Sequence, residues 1–207
     1  PSPVALTQAG KRAAEGFDGS SADNPRLRCE PTNILFDWTF DTLVNRIAQD
    51  EAKITLQYGF MGLERTIHMN LTEHPADLEP TLAGHSIGRW ENDVLVVDTV
   101  GFKPGVLSAD AVTMYSDQLH VVERFSLDPQ ARALRREYVA DDSLYFTGQY
   151  MGADTVLVAD LPYESYNCDD RSYVSADNVP AAAQPTAAPP RAAEPEKNDT
   201  PWWMFWK

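Results

Sequence analysis

Histidine and arginine alternate with apolar residues in two segments that have the period of a β-strand. Alternation places His85 and Arg89 on one face of the segment 85–91. It likewise places His120 and Arg124 on one face of the segment 119–125. Two neighbouring strands can bring these four side chains to one surface. If that surface lines the interior of a β-barrel, histidine can act as acid or base there and arginine can stabilise an oxyanion. We therefore take the four residues as candidate catalytic groups for an anionic or carbonyl-bearing ligand.

The same side chains have a structural alternative, in which they face water or form cross-strand pairs with Glu91 and Glu123. A metal site is a third option, built from the chain's four histidines and either Asp77 or Asp98; the histidines are His68, His74, His85 and His120. No tight metal motif such as HExxH occurs, and neither do GxSxG, a P-loop or a GxGxxG that opens a helix. We therefore predict no metal site and no cofactor, and leave enzymatic activity open while favouring its absence.

The elements that position these residues are mostly strands. A short helix is predicted from its cap Thr7 to its stop at Gly16. Alternating runs separated by turn residues predict three hairpins and one further strand: Lys53–Tyr58 with Leu63–Met69, His85–Glu91 with Val94–Val100, Leu119–Leu127 with Leu134–Val139, and Thr155–Ala159. Hairpins in series favour an all-β fold, an antiparallel meander that closes into a lipocalin-like barrel or half-barrel. A two-sheet sandwich is the alternative. The run Val94–Val97 is apolar on both faces, which predicts a central strand.

Composition divides the chain into three parts. Residues 1–179 form the predicted acidic β-rich domain, residues 180–200 a tether rich in proline and alanine, and residues 201–207 an aromatic tail. Such a tether cannot pack a core and favours an extended chain. Residues 180–207 carry three basic and three acidic side chains, so the whole net charge of −14 belongs to residues 1–179.

The composition excludes several classes of protein. Hydrophobic residues make up 43% of the 207 residues, enough to bury a core, so wholesale disorder is excluded. No apolar run approaches the roughly 18 residues that a membrane-spanning helix needs. A net charge of −14 argues against nucleic acid as a partner, because phosphates would be repelled. What remains is a small acidic domain outside the bilayer.

Two features bear on the cellular compartment. The sequence begins with Pro1 rather than Met, which we interpret as the product of a cleaved secretory signal. Cys29 and Cys168 lie in separate halves of the chain, without zinc-site spacing. Two reduced thiols remain the alternative, but together these features favour an extracytoplasmic location, periplasmic or secreted, and a Cys29–Cys168 disulfide.

The aromatic tail is the predicted partner-binding site, formed by Trp202, Trp203, Met204, Phe205 and Trp206. Burying each of these side chains would contribute about 1.5–3 kcal/mol before the cost of ordering. Tryptophan suits interfaces because it combines a large apolar surface with a hydrogen-bond donor. The sequence leaves four alternatives for what the tail binds: a partner protein, an identical subunit, a membrane interface, or the domain's own groove.

Several motifs occur in a fixed order: Leu6-Thr7-x-x-Gly10, Asn24-Pro-x-Leu-x-Cys29-x-Pro31, His74-Pro-Ala-Asp77, Gly84-His-Ser-Ile-Gly-Arg-Trp-Glu91, Asp93-x-Leu-Val-Val-Asp98-Thr-x-Gly101-Phe102 and Ser116-Asp117-x-x-His120-x-x-Glu123-Arg124-Phe125. In these motifs the chain closely resembles a family of exported bacterial proteins of unassigned function, over roughly residues 5–175. The resemblance implies export, a β-rich domain and a Cys29–Cys168 pair, but no activity. The tether and the aromatic tail fall outside the family's pattern.

Three hypotheses follow for function. The first is a non-enzymatic accessory or assembly subunit outside the cytoplasm, docked by its tail on a larger complex, membrane-bound or not. Its acidic face would favour a basic protein partner. The second is a small-ligand-binding protein, or an enzyme of the hydrolase or lyase type, that uses a His/Arg-lined barrel interior. The third is a subunit that assembles with its own copies, head to tail.

Overall fold

The structure is a computed structural model and describes residues 4–40, 43–108, 112–164, 166 and 168. Within these residues the one α-helix, α1, runs over Gln8–Ala14. The hydroxyl of Thr7 caps it by accepting the N–H of Gly10 at 3.1 Å. Gly16 follows with a φ of +81°, a backbone conformation that ends a helix and suits glycine. The predicted helix and its two ends are confirmed.

Most of the regular secondary structure in the described residues consists of ten strands: β1 (Arg46–Gln49), β2 (Lys53–Gln57), β3 (Glu64–His68), β4 (His85–Glu91), β5 (Val94–Val100), β6 (Gly105–Ser108), β7 (Thr113–Tyr115), β8 (Leu119–Asp128), β9 (Ala133–Asp142) and β10 (Tyr150–Leu157). Strands β6 and β7 form a separate small hairpin. The other eight form one curled sheet, a half-barrel, in the order β1-β2-β3-β4-β5-β8-β9-β10. The all-β half-barrel and the three predicted hairpins are confirmed, with β5 in a central position.

The sheet departs from a pure antiparallel meander between β3 and β4. These two strands run parallel, and only two residue pairs join them, Ile67 with Ser86 and His68 with Ile87. Every other neighbouring pair in the sheet is antiparallel. Residues 69–84 connect β3 to β4, a connection long enough to return the chain to the same end of the sheet. The two strands diverge from this short contact.

The hydrophobic core lies on the concave face of the sheet. A 3-10 turn over Asp37–Thr39 brings Trp38 onto this face, where 1% of its surface is exposed. The Trp38 ring packs edge-on against Tyr58 and Phe125, with centroids 5.4 and 6.1 Å apart. The core is completed by aliphatic side chains that alternate along the strands; among them are Ile54, Leu56, Ile67, Leu95, Val97, Val121 and Leu134.

Charged side chains also lie on the concave face. Arg65, Glu123 and Arg136 each have at most 1% of their side-chain surface exposed. Glu123 stands between the two arginines, at 2.5 Å from Arg65 Nη2 and 3.2 Å from Arg136 Nη1. Arg136 also donates to the backbone carbonyls of Ile34 and Leu35. The network ties β3, β8 and β9 to the segment that carries Trp38.

A disulfide joins Cys29 to Cys168, with the two Cα atoms 5.7 Å apart. This confirms the predicted pairing. It holds residue 168 beside the N-terminal part of the chain. The boundaries predicted at residues 179/180 and 200/201 lie outside the described residues. So do the tether and the five aromatic-tail residues, Trp202, Trp203, Met204, Phe205 and Trp206. Across the described part of the chain, no helix has the length and apolar character needed to traverse a bilayer.

Candidate functional site

The four candidate catalytic residues do share one face of the sheet. Strand β5 lies between β4 and β8, and its Val96 pairs with Arg89 on one side and with Arg124 on the other. The structure places this face on the outside, because Arg89 and Arg124 are exposed while the intervening Ser86 and Gly88 are buried. The hypothesis of a His/Arg-lined barrel interior is therefore wrong in its placement. The concave face belongs to the core instead.

The two arginines pair with one glutamate. Arg89 Nη2 lies 2.7 Å from Glu91 Oε1, and Arg124 Nη1 lies 2.9 Å from Glu91 Oε2. These hydrogen bonds lower the pKa of Glu91 from its ordinary value, that from Arg124 most strongly. Both arginines therefore pair with Glu91, as the structural alternative to a catalytic role predicted. His85 stands four residues before Arg89 on β4, about 13 Å away along the strand. The imidazoles and guanidiniums therefore form two separate groups.

The four histidines of the chain meet at the other end of this outer face, together with one carboxylate. We call this group the histidine cluster: His68 from β3, His74 from the β3–β4 connection, His85 from β4, and His120 from β8, with Asp98 from β5. His74 Nδ1 lies 2.8 Å from His85 Nδ1. The ring of His68 stacks on that of His85, with centroids 4.9 Å apart and planes at 17°.

Asp98 lies at the centre of the histidine cluster. Its Oδ1 is 3.0 Å from His74 Nε2 and 3.1 Å from His120 Nε2. Burial raises the pKa of Asp98, but hydrogen bonds from His74 and His120 outweigh it and lower that pKa below its ordinary value. Of the two carboxylates considered with the histidines, it is Asp98 that binds them. Asp77 is exposed on the connection.

The charge on Asp98 fixes the protons of the neighbouring rings. An ionised carboxylate only accepts hydrogen bonds, so His74 donates through Nε2. The neutral His74 ring then has a free lone pair on Nδ1, which accepts from His85 Nδ1. Burial is the main cause that lowers the pKa of His85 below its ordinary value, and a neutral His85 that donates through Nδ1 carries no proton on Nε2.

An open cleft of about 440 Å³ lies beside the cluster, where β3 and β4 diverge. Its walls include His68 and His85, and its other lining residues are Leu63, Glu64, Thr66, Thr81, Leu82, Ala83 and Gly84. The cleft follows from the short parallel contact, because the two strands separate immediately N-terminal to it. A ligand that enters the cleft would meet both imidazoles.

The connection over residues 69–84 positions His74 and His85. Thr81 holds it to the sheet through hydrogen bonds with the backbone of Gly101 and Lys103, at 3.1 and 2.8 Å. Gly84 has a φ of +65°, and a Cβ there would lie 2.8 Å from the backbone oxygen of Val100. Only glycine fits this turn without displacement, and the turn delivers His85 to the outer face.

Sequence reasoning placed His85 and His120 on one face, whereas it joined them to His68 and His74 only in a metal-site option that it did not adopt. His74 belongs to a loop, where side-chain direction has no period. The interior pair of Glu123 with Arg136 was also missed. A signal for it existed, since Glu123 interrupts an otherwise apolar face with Leu119, Val121 and Phe125.

Comparisons of the chain with models of known families, with curated proteins and with solved structures gave no match.

Proposed function

We propose that the protein is a non-enzymatic accessory or assembly subunit outside the cytoplasm. Its aromatic tail docks it onto a larger complex, either a soluble or a membrane-bound one. The observation that carries this proposal is the filled interior of the half-barrel. The space among the core side chains of Ile54, Leu95 and Phe125 measures about 10 Å³, which is no more than one water molecule requires. A domain with such an interior suits surface interactions better than the enclosure of a small ligand.

The aromatic tail supplies the docking chemistry. Trp202, Trp203 and Trp206 lie within five residues of one another, next to Met204 and Phe205. Large apolar side chains of this kind contribute most of the energy at protein interfaces once they are desolvated. A free tail would expose all five side chains to water, so an occupied docking site is the favourable state.

The disulfide supports both the compartment and the geometry of docking. Structural disulfides persist in oxidising compartments, which supports an extracytoplasmic location. Cys29 fixes the chain at residue 168, so the tether of residues 180–200 starts only twelve positions beyond a rigid point. At about 3.1 Å per residue, an extended tether of that length spans on the order of 65 Å. The acidic domain can then sit beside its partner complex rather than within it.

Charge favours a basic protein as a second contact. The net charge of −14 falls on residues 1–179, while the tail is neutral. A basic partner would be attracted to the domain, and the attraction would weaken as salt is added. Docking by the tail is apolar and would not weaken in that way. The two contacts can thus be separated experimentally.

The experiment compares three chains expressed in cells that produce the protein: the full chain, a chain truncated after Val179, and a full chain with Trp202, Trp203, Phe205 and Trp206 replaced by serine. Each is extracted gently, and its mass is measured by light scattering and native mass spectrometry. The proposal expects an assembly of defined mass for the full chain alone. Monomers for all three chains would overturn it.

The serine variant is the control for tether length, because it keeps the tether and changes only the tail. If the full chain assembles only with copies of itself, the head-to-tail alternative is correct and the docking of a foreign partner is wrong. If all three chains assemble alike, the assembly does not depend on the tail and the proposal fails. Raising the salt concentration should leave the tail-dependent assembly intact.

A further inference from the structure

The histidine cluster gathers nitrogen donors in a way that the filled core and the docking tail do not explain. Four imidazoles and one carboxylate lie in mutual contact on the outer face, beside an open cleft. Hydrogen bonding within the sheet does not require this arrangement. Neutral imidazole is the side chain that binds divalent zinc and copper most often.

Asp98 prepares His74 as a ligand. Metal-binding histidines almost always donate their other ring N–H to a carboxylate or carbonyl, which fixes the tautomer and raises the basicity of the ligating nitrogen. His74 has this arrangement, because its Nε2 faces Asp98 Oδ1 at 3.0 Å. Its Nδ1 is therefore the nitrogen with a free lone pair. That lone pair points to within 2.8 Å of His85 Nδ1.

We propose that His74 Nδ1 and His85 Nδ1 bind one divalent transition-metal ion of the zinc and copper class, with His68 as the third ligand and Asp98 as the orienting carboxylate. When the ion binds, His85 gives up its Nδ1 proton to water and takes up a proton from water on Nε2, so that both rings stay neutral and both Nδ1 lone pairs turn to the metal. Nitrogen ligands bind these ions at about 2.0–2.1 Å. The two Nδ1 atoms are already as close as two ligands of one ion need to be.

His68 completes the site from the opposite strand. Its ring stacks against His85 at 4.9 Å between centroids and lines the same cleft. Among the described residues, no three donors yet converge on one point, so the His68 ring turns toward the ion when the ion binds. The cleft leaves the remaining coordination positions open to water or to a ligand. This open arrangement is typical of exchangeable or catalytic metal sites rather than closed structural ones.

His120 has a different role from the other three histidines. It contacts Asp98 through Nε2, at 3.1 Å from both carboxylate oxygens. We assign His120 no part in holding the ion, so His120→Asn is a matched control within the same cluster.

The test uses the full chain, without a polyhistidine tag and with its disulfide intact. Zinc and copper(II) are titrated by calorimetry into the parent chain and into four variants: His74→Asn, His85→Asn, Asp98→Asn and His120→Asn. We expect one ion per chain in the parent, and copper bound more tightly than zinc. Affinity should fall at least about 100-fold in His74→Asn and His85→Asn, and about 10- to 100-fold in Asp98→Asn. His120→Asn should stay within about threefold.

A second readout separates a built site from loose binding to surface histidines. Electron paramagnetic resonance of the copper-loaded chain should show nitrogen ligands in the parent and in His120→Asn, and fewer of them in His85→Asn. Circular dichroism confirms that each variant is folded. The proposal is overturned if the parent binds no stoichiometric ion, or if His120→Asn loses as much affinity as His74→Asn. Neither result bears on docking by the tail, so the two proposals stand or fall separately.

Discussion

Arg136 and Glu123 face each other inside the half-barrel, with Arg136 Nη1 3.2 Å from Glu123 Oε1 and neither side chain more than 1% exposed. A second buried guanidinium, that of Arg65, approaches the same carboxylate from β3. Burial alone would lower the pKa of Arg136, but the charges of Glu123 and Asp154 outweigh it and raise that pKa. Glu123 and Asp154 together therefore balance the charges of the two buried guanidiniums.

Replacing Glu123 by glutamine tests this arrangement. The variant removes the carboxylate that pairs with Arg65 and leaves Arg136 with Asp154, and removing one partner of a buried ion pair costs about 3–5 kcal/mol. We expect the free energy of unfolding to fall by that amount in urea titrations followed by tryptophan fluorescence. The control is Glu137→Gln, which breaks an exposed 2.8 Å pair with Arg135 and should cost less than about 1 kcal/mol. Equal costs for the two variants would contradict the role given to Glu123.

Asp37 makes stability depend on pH in the direction opposite to ordinary acid unfolding. Its side chain is buried, one carboxylate oxygen accepts the N–H of Thr32 at 2.6 Å, and burial raises its pKa to about 6. The folded state therefore holds this proton more tightly than the unfolded state, whose pKa is near 3.8. The contribution of Asp37 to stability is greatest below about pH 4 and is lost as the pH rises through 6.

Comparison with Asp37→Asn isolates this effect. The amide keeps the shape of the side chain and an acceptor for Thr32, but it does not ionise. We expect the free energy of unfolding of the parent, relative to the variant, to fall by about 2 kcal/mol between pH 4 and pH 7, since one pKa unit corresponds to about 1.4 kcal/mol and part of the titration lies below pH 4. Asp128→Asn, an exposed carboxylate that also accepts backbone N–H groups, serves as control. A difference that stays constant with pH would contradict the prediction.

The strands could be predicted because alternation is local, whereas the parallel contact could not. The run that forms β2 and β3 alternates between polar and apolar residues, and only a short turn separates the two strands. Their hairpin could therefore be predicted from the sequence. Nothing in residues 69–84 signals that the next strand returns in the same direction, because strand direction depends on where a long connection leads. The cleft between β3 and β4 results from this parallel direction, so the cleft could not be predicted from the sequence either.

The candidate site, too, could be predicted only where it depends on local alternation. Alternation grouped His85 with His120, since both lie on regular strands that flank β5. It did not reveal which face of the sheet would be buried, because polar and apolar residues occur on both faces of β4 and β8. The concave face proved to be the one that carries Leu119, Val121 and Phe125, even though Glu123 lies among them. A buried glutamate is rare unless it is paired, and its arginine partners come from distant strands.

Gly10 allows α1 to approach the chain before β10. A Cβ at this position would lie 2.5 Å from the backbone oxygen of Tyr145. That oxygen also accepts the N–H of Thr7 at 2.9 Å, so it cannot move away without loss of the hydrogen bond. Alanine favours a helix over glycine by about 1 kcal/mol, but the clash involves backbone and should outweigh this gain.

We therefore expect Gly10→Ala to lower the free energy of unfolding by about 1–3 kcal/mol. Gly148→Ala is the matched control, because a Cβ there would meet no heavy atom within 4 Å. Thermal denaturation of the two variants under identical conditions provides the comparison. A stabilised Gly10→Ala variant would show that α1 shifts freely over Tyr145.

The disulfide closes a loop of 139 positions, which lowers the conformational entropy of the unfolded chain. In the chain-entropy model a loop of this length contributes about 5 kcal/mol, a large share of the 5–15 kcal/mol that is typical of domains. We expect the double variant Cys29→Ser with Cys168→Ser to lose a stability of this order, measured in urea at equilibrium. A reductant should destabilise the parent to the same extent and leave the double variant unchanged. If the reductant acts equally on both chains, its effect does not come from this bond. If neither treatment changes the unfolding midpoint, the bond does not hold residue 168 to the domain, and the anchored tether proposed for docking loses its fixed end.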